Sequence, residues 1–259
     1  MEGPSGVIAL VLAETAAGGS AVLWLTGLWG RVKRGFFILT GSVVLGCALL
    51  AATSGRAGLA PDAPPVAETS VLLLAILSAV VALSLCALIL RWDAPGRWLG
   101  VASIPVAVAA LVALAHSVTP SFPIAVTQLL AGAAFMGAVT DGLLLGHWYL
   151  VDRRLPRDHI RRLAVVLLAA VALEVVAIAF AGFGRVDVSS SFSPFLGVSG
   201  LATWLALGMV AVTALIAVLI RASLKGNEPR AVQAATGFFY LAVIMAFAAE
   251  MAAKVRFIA

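Results

Sequence analysis

The sequence predicts an all-α integral membrane protein with eight transmembrane helices. Three observations lead there. Hydrophobic residues make up 63% of the 259-residue chain and charged residues only 11%, against about 45–50% and about 25% in a soluble domain. The apolar residues lie in eight long runs. The basic residues collect in every second gap between them.

The runs cover roughly 6–29, 35–54, 69–90, 98–118, 123–151, 163–184, 195–220 and 231–253. A helix needs roughly 20 apolar residues to cross the hydrocarbon layer. Strands of a barrel would show alternating segments of about ten residues. The runs here are longer, continuous, and rich in Ala and Leu, so helices are expected. The gaps carry turn chemistry: Pro61 to Pro65, Pro95-Gly96, Pro120 with Pro123, Pro156, and Gly226 to Pro229. The first run lacks a basic start and contains Glu14, so it reads as a span and not as a cleavable signal peptide.

The net charge of +5 is a matter of placement. Thirteen of the 17 Lys and Arg residues fall in 31–34, 91–97, 152–162 and 221–230; the others are Arg56, Arg185, Lys254 and Arg256. Charge confined to alternate loops argues against a nucleic-acid partner. By the positive-inside rule these loops face the cytoplasm, and both termini then lie outside. The expected location is the cytoplasmic membrane, as a multi-pass protein in the lipid bilayer. The longest gaps leave no room for a soluble domain, so residues 1–259 read as one transmembrane domain.

An internal echo joins the first and fifth runs. Leu12-Ala13-Glu14-Thr15-Ala16-Ala17-Gly18-Gly19 is similar to Leu130-Ala131-Gly132-Ala133-Ala134-Phe135-Met136-Gly137. It suggests two four-helix halves in parallel repeat. Ala13, Ala17 and Ala21, with Ala134, Gly137 and Ala138, form small-residue stripes that let helix backbones approach closely. Cys47 and Cys86 lie within spans two and three at different depths, where small apolar helix positions are the simplest reading.

Function should rest on groups that are costly in lipid. A carboxylate at the centre of a span costs about 2.5–3.5 kcal/mol on insertion scales. Glu14, Asp141, Glu174 and Glu250 accept that cost, and His116, His147 and Gln128 add polar capacity. At about 1.5 Å per residue, Glu14, His116, Gln128 and Glu250 fall in the outer half and form one expected site. Glu250 and Lys254, four apart, also read as an interfacial ion pair. Asp141, Glu174 and His147 form a second group, an expected proton path toward the cytoplasm, although His147-Trp148-Tyr149 also suits an interface belt. No cluster suggests a bound metal ion.

An apolar slot, a polar head-group site and a base are what quinol oxidation at the outer leaflet requires. Glu14 and His116 are the expected catalytic groups, with Gln128 and Glu250 beside them. The cofactor would be menaquinone or ubiquinone. A haem b with two histidines finds no matching pair, since His116, His147 and His159 lie at different depths; a His/Met or five-coordinate haem stays open, with Met136, Met209, Met245 and Met251 available. With two cysteines the chain cannot carry iron–sulfur clusters, so electrons would pass to a partner.

Eight spans with both termini outside, and the segment Leu10 to Leu25 with Glu14-Thr15-Ala16-Ala17-Gly18-Gly19, resemble the membrane subunits of polysulfide-reductase and dimethyl-sulfoxide-reductase type, the NrfD family. The resemblance implies exchange of electrons between membrane quinone and a partner subunit bearing Fe–S or haem centres on the outer face. It places the head group near Glu14 and His116. An ion- or proton-coupled transporter or channel, which would use the same acids, is the main alternative; a purely structural subunit of a respiratory complex is another.

Overall fold

The computed structural model describes residues 3–30, 32–118, 121–152, 155–182, 200–225 and 230–257. Eight α-helices follow one another: α1 (Gly3–Leu28), α2 (Arg34–Ala57), α3 (Pro65–Ile89), α4 (Asp93–Val118), α5 (Phe122–Val151), α6 (Asp158–Ala181), α7 (Leu201–Ser223) and α8 (Ala231–Lys254). A short 3-10 turn over Val255–Phe257 ends the described chain. All eight helices are long and apolar enough to span a membrane, and no strand occurs among the described residues. This agrees with the expected all-α class and its eight spans, and the apolar helices suit a lipid bilayer.

Several helices start earlier than their apolar runs. The spans expected from 69, 98 and 163 begin at Pro65, Asp93 and Asp158. The added turns are polar but well suited to helix starts. Pro65 occupies the first turn of α3, where its missing N–H has no intrahelical use. Asp93 and Asp158 place a carboxylate against the positive end of the helix dipole. His159 therefore lies in the first turn of α6, buried, and not in a loop. The seventh helix is described from Leu201; residues 195–199, where its apolar run begins, lie outside the described residues. Pro105 lies inside α4.

The packing repeats. In the first half α1 packs on α2, α2 on α3, α3 on α4, and α4 returns to α1; α5 to α8 show the same closed order. The halves join chiefly through α1 against α5. These two helices are the most enclosed: 83% of the apolar window of α1 and 61% of that of α5 is buried, against 39–44% for the rest. The outer helices instead turn Leu72, Leu83, Leu173, Val176, Leu215 and Ile244 outward, which is costly in water and neutral in hydrocarbon.

Glycine sets the α1–α5 crossing. A Cβ on Gly18 would stand 1.7 Å from the carbonyl oxygen of Ala133, and one on Gly137 would stand 2.3 Å from the carbonyl carbon of Gly18. Both obstacles are backbone, which cannot swing aside. The small-residue signal thus marks a direct backbone-to-backbone contact on the axis of the molecule.

Candidate functional site

Three helices bring charge to one buried point, and a fourth adds a main-chain carbonyl. Lys254 is the last residue of α8 and is fully buried. Helical side chains lean back toward the helix N-terminus, which directs its long stem into the bundle. Its Nζ lies 2.9 Å from Glu14 Oε1 on α1 and 2.7 Å from Glu250 Oε2 on α8. It also donates to the main-chain carbonyl of Gln128 on α5 at 3.3 Å. An ammonium has three protons; it donates to Glu250 Oε2 and the Gln128 carbonyl, and Glu14 stands at ion-pair distance.

Glu174 on α6 completes the group. It is fully buried, and its carboxyl interacts electrostatically with Glu250, Lys254 and Glu14. Neither of its oxygens accepts a well-formed hydrogen bond among the described residues. The cluster thus sets three carboxyls, all at 0% exposure, against one ammonium. It is electrically neutral only when it holds two protons among Glu14, Glu174 and Glu250. An unbalanced charge in such a place costs several kcal/mol.

Gly132 makes the room. A Cβ there would lie 2.5 Å from Glu14 Oε1 and 2.9 Å from Glu250 Oε2. The turn that follows Lys254 fixes the end of α8: Arg256 donates from Nη1 to the Gly182 carbonyl at 3.2 Å and from Nη2 to the Ala181 carbonyl at 3.0 Å. These are the free carbonyls at the C-terminus of α6, where a cation is favoured. One short segment thereby ties α8 to α6 on either side of the cluster.

Three of the four residues expected at the outer site are close together. Glu14 and Glu250 share Lys254, and Gln128 contributes its carbonyl; its side-chain amide is buried without a hydrogen-bond partner among the described residues. His116 is elsewhere. It is exposed at the end of α4 and stacks on Phe122, with ring centroids 3.8 Å apart. The Glu250–Lys254 pair, read as interfacial, is at the centre of the bundle instead.

The inner group is divided. Glu174, expected beside Asp141, belongs to the Lys254 cluster. Asp141 stands by itself on α5, fully buried, and neither carboxyl oxygen has a hydrogen-bond partner among the described residues. His147 is near the surface of the bundle, where its Nε2 lies 2.9 Å from the Tyr240 hydroxyl on α8. Lys254 and Gly132 were not expected at a site. The signal for Lys254 was present: Val255 and Phe257 follow it, and both are buried. Among the described residues no group of three or more His, Cys, Asp or Glu side chains is arranged to hold a metal ion.

No family model, curated protein or solved structure matches this chain.

Proposed function

We propose that this chain is the proton-exchanging membrane subunit of a quinone-linked respiratory electron-transfer complex, with Glu14, Glu174, Glu250 and Lys254 as the station that takes up and releases protons. One observation carries the reading: three carboxyls and one ammonium share an interior at 0% solvent exposure, so their net charge depends on protons held among them. Intramembrane acids of this kind mark proton relays. Asp141, on the same helix as Gly132 and about 14 Å along it, is the next acid toward the basic end. The quinone and the redox partner rest on the family resemblance and the topology. So does the orientation, with basic loops in the cytoplasm and both termini outside.

The head group itself does not fit on Glu14. The space that Gly18 opens is filled by the α5 backbone, and the space at Gly132 is filled by the carboxyls of Glu14 and Glu250. The cluster is therefore assigned to protons alone.

The test is Glu14→Gln in the intact complex. This change keeps the volume and removes the titratable group. Quinol-dependent turnover should fall about 10²-fold, the lower range for loss of a general base, while the complex still assembles and an artificial dye still turns over on the partner. A protonated-carboxyl band in the infrared spectrum should also weaken. Normal turnover with an unchanged band would refute the role.

A second reading has its own support. The cluster bridges α1 of the first half to α5, α6 and α8 of the second, so breaking it would release the halves from each other, as a proton-coupled transporter requires. Dissipation of a pH gradient by the chain alone in proteoliposomes would favour that reading.

A further inference from the structure

The end of the bundle that gathers the basic loops holds a second concentration of charge, unrelated to the buried cluster. A cavity of about 210 Å³ opens between the start of α6 and the end of α7, lined by Arg161, Ala164, Val165, Arg221, Leu224 and Lys225. Three of the six are cations. Arg161 is held in place: its Nε donates to the Leu224 carbonyl at 3.1 Å. Its Nη1 lies 3.9 Å from Asp158 Oδ1, an exposed carboxylate one turn earlier. Arg221 and Lys225 are exposed, four residues apart, and form no ion pair among the described residues.

The bias of basic residues toward these loops puts cations at this end of the bundle, but it does not require three of them around one cavity. Like charges four apart on a helix repel, and among the described residues the cavity sets three cations against one carboxylate, Asp158 at its rim. The apolar wall adds a second requirement. Ala164 and Val165 lie one turn further along α6 toward the bilayer centre, and Val165 is 48% exposed on the outer surface of the bundle. A cavity with cations at its mouth and open hydrocarbon contact below matches an amphiphile with an anionic head and an acyl chain. A free anion would use only the first half of that design.

We propose that this cavity is a binding site for an anionic phospholipid. Arg161, Arg221 and Lys225 hold the head-group phosphate, and the acyl chain lies along Ala164 and Val165. Basic pockets between transmembrane helices favour such head groups. The lipid bridges α6 and α7, joining the Arg161 to Leu224 hydrogen bond in holding those two helix ends together.

The experiment uses the full chain, delipidated in detergent and titrated with dioleoylphosphatidylglycerol, dioleoylphosphatidylcholine or inorganic phosphate, read by native mass spectrometry and thermal stability. Phosphatidylglycerol should bind and raise the melting temperature; phosphatidylcholine and inorganic phosphate should do neither. Arg221→Gln with Lys225→Gln should weaken phosphatidylglycerol binding about 10- to 30-fold, the usual contribution of two basic residues at an anionic surface. Neither side chain holds another helix, so this variant should fold. A charge-matched control, Arg91→Gln with Arg162→Gln, removes two exposed cations outside the cavity and should bind as the native chain does. Equal loss in both variants would overturn the site, since it would reduce the effect to net charge. Binding of inorganic phosphate as tight as that of the lipid would overturn the assignment to an amphiphile.

Discussion

Replacing Lys254 by Met removes the one positive charge from a site with three carboxyls. The substitution preserves much of the stem and leaves the apolar packing of α8 in place. The Glu14 and Glu250 oxygens, 2.9 and 2.7 Å from Nζ, then face each other without a counter-ion. Breaking a buried pair by removing one partner costs about 3–5 kcal/mol. For a chain of this size each kcal/mol shifts the midpoint by about 2–4 °C, so the expected loss is roughly 6–20 °C. The deficit should shrink as pH falls, because protonation removes the charge that Lys254 balanced. Glu14→Gln and Glu250→Gln, added to Lys254→Met, should recover most of the loss, since a neutral buried group of similar volume often costs little. Thermal unfolding in detergent at two pH values reads all of this. A single Lys254→Met variant within about 2 °C of native, or a triple variant as unstable as the single one, would show that the charges are not mutually balanced.

Three further outcomes follow from the geometry. Gly18→Ala should prevent accumulation of folded protein, because its Cβ meets the Ala133 carbonyl, whereas Gly46→Ala has nothing within 4 Å and should stabilise by about 0.5–1 kcal/mol; yield and melting temperature compare them. Asp141→Asn should leave assembly and stability intact and slow proton uptake during turnover, and unchanged uptake would remove Asp141 from the path. In a background without Cys47 and Cys86, a cysteine at Asp62 should react with an impermeant reagent from outside, and one at Arg230 only after permeabilisation; the reverse pattern would invert the orientation.

The helix count was legible because hydropathy reports the thickness of hydrocarbon, and all eight runs exceed it. The starts of α3, α4 and α6 were not, since Pro65, Asp93 and the Arg161–Arg162 turn lie beyond that layer and carry no apolar signal. At the site, Glu14, Gln128 and Glu250 were placed together by depth alone. Glu174 was misassigned by depth, yet its rotation was readable: Leu163, Leu167, Ala170, Val171, Ala177 and Ile178 share its buried face. Lys254 was missed because a lysine four residues after a glutamate at a helix end has a simple explanation at the surface. Only the return of apolar residues after it argued otherwise.

The echo between the first and fifth helices aligns Glu14 with Gly132, and the fold sets the Glu14 carboxyl against that glycine. Equivalent positions in the two halves therefore meet at the centre, where there is volume for only one side chain. An acid on both would collide, and a glycine on both would leave the ammonium of Lys254 without its partner on α1. The pair works as a plug and socket, and the halves have ceased to be interchangeable at this one level. That difference makes the two halves unequal at the cluster: the axial acid is committed to α1 and the glycine that receives it to α5.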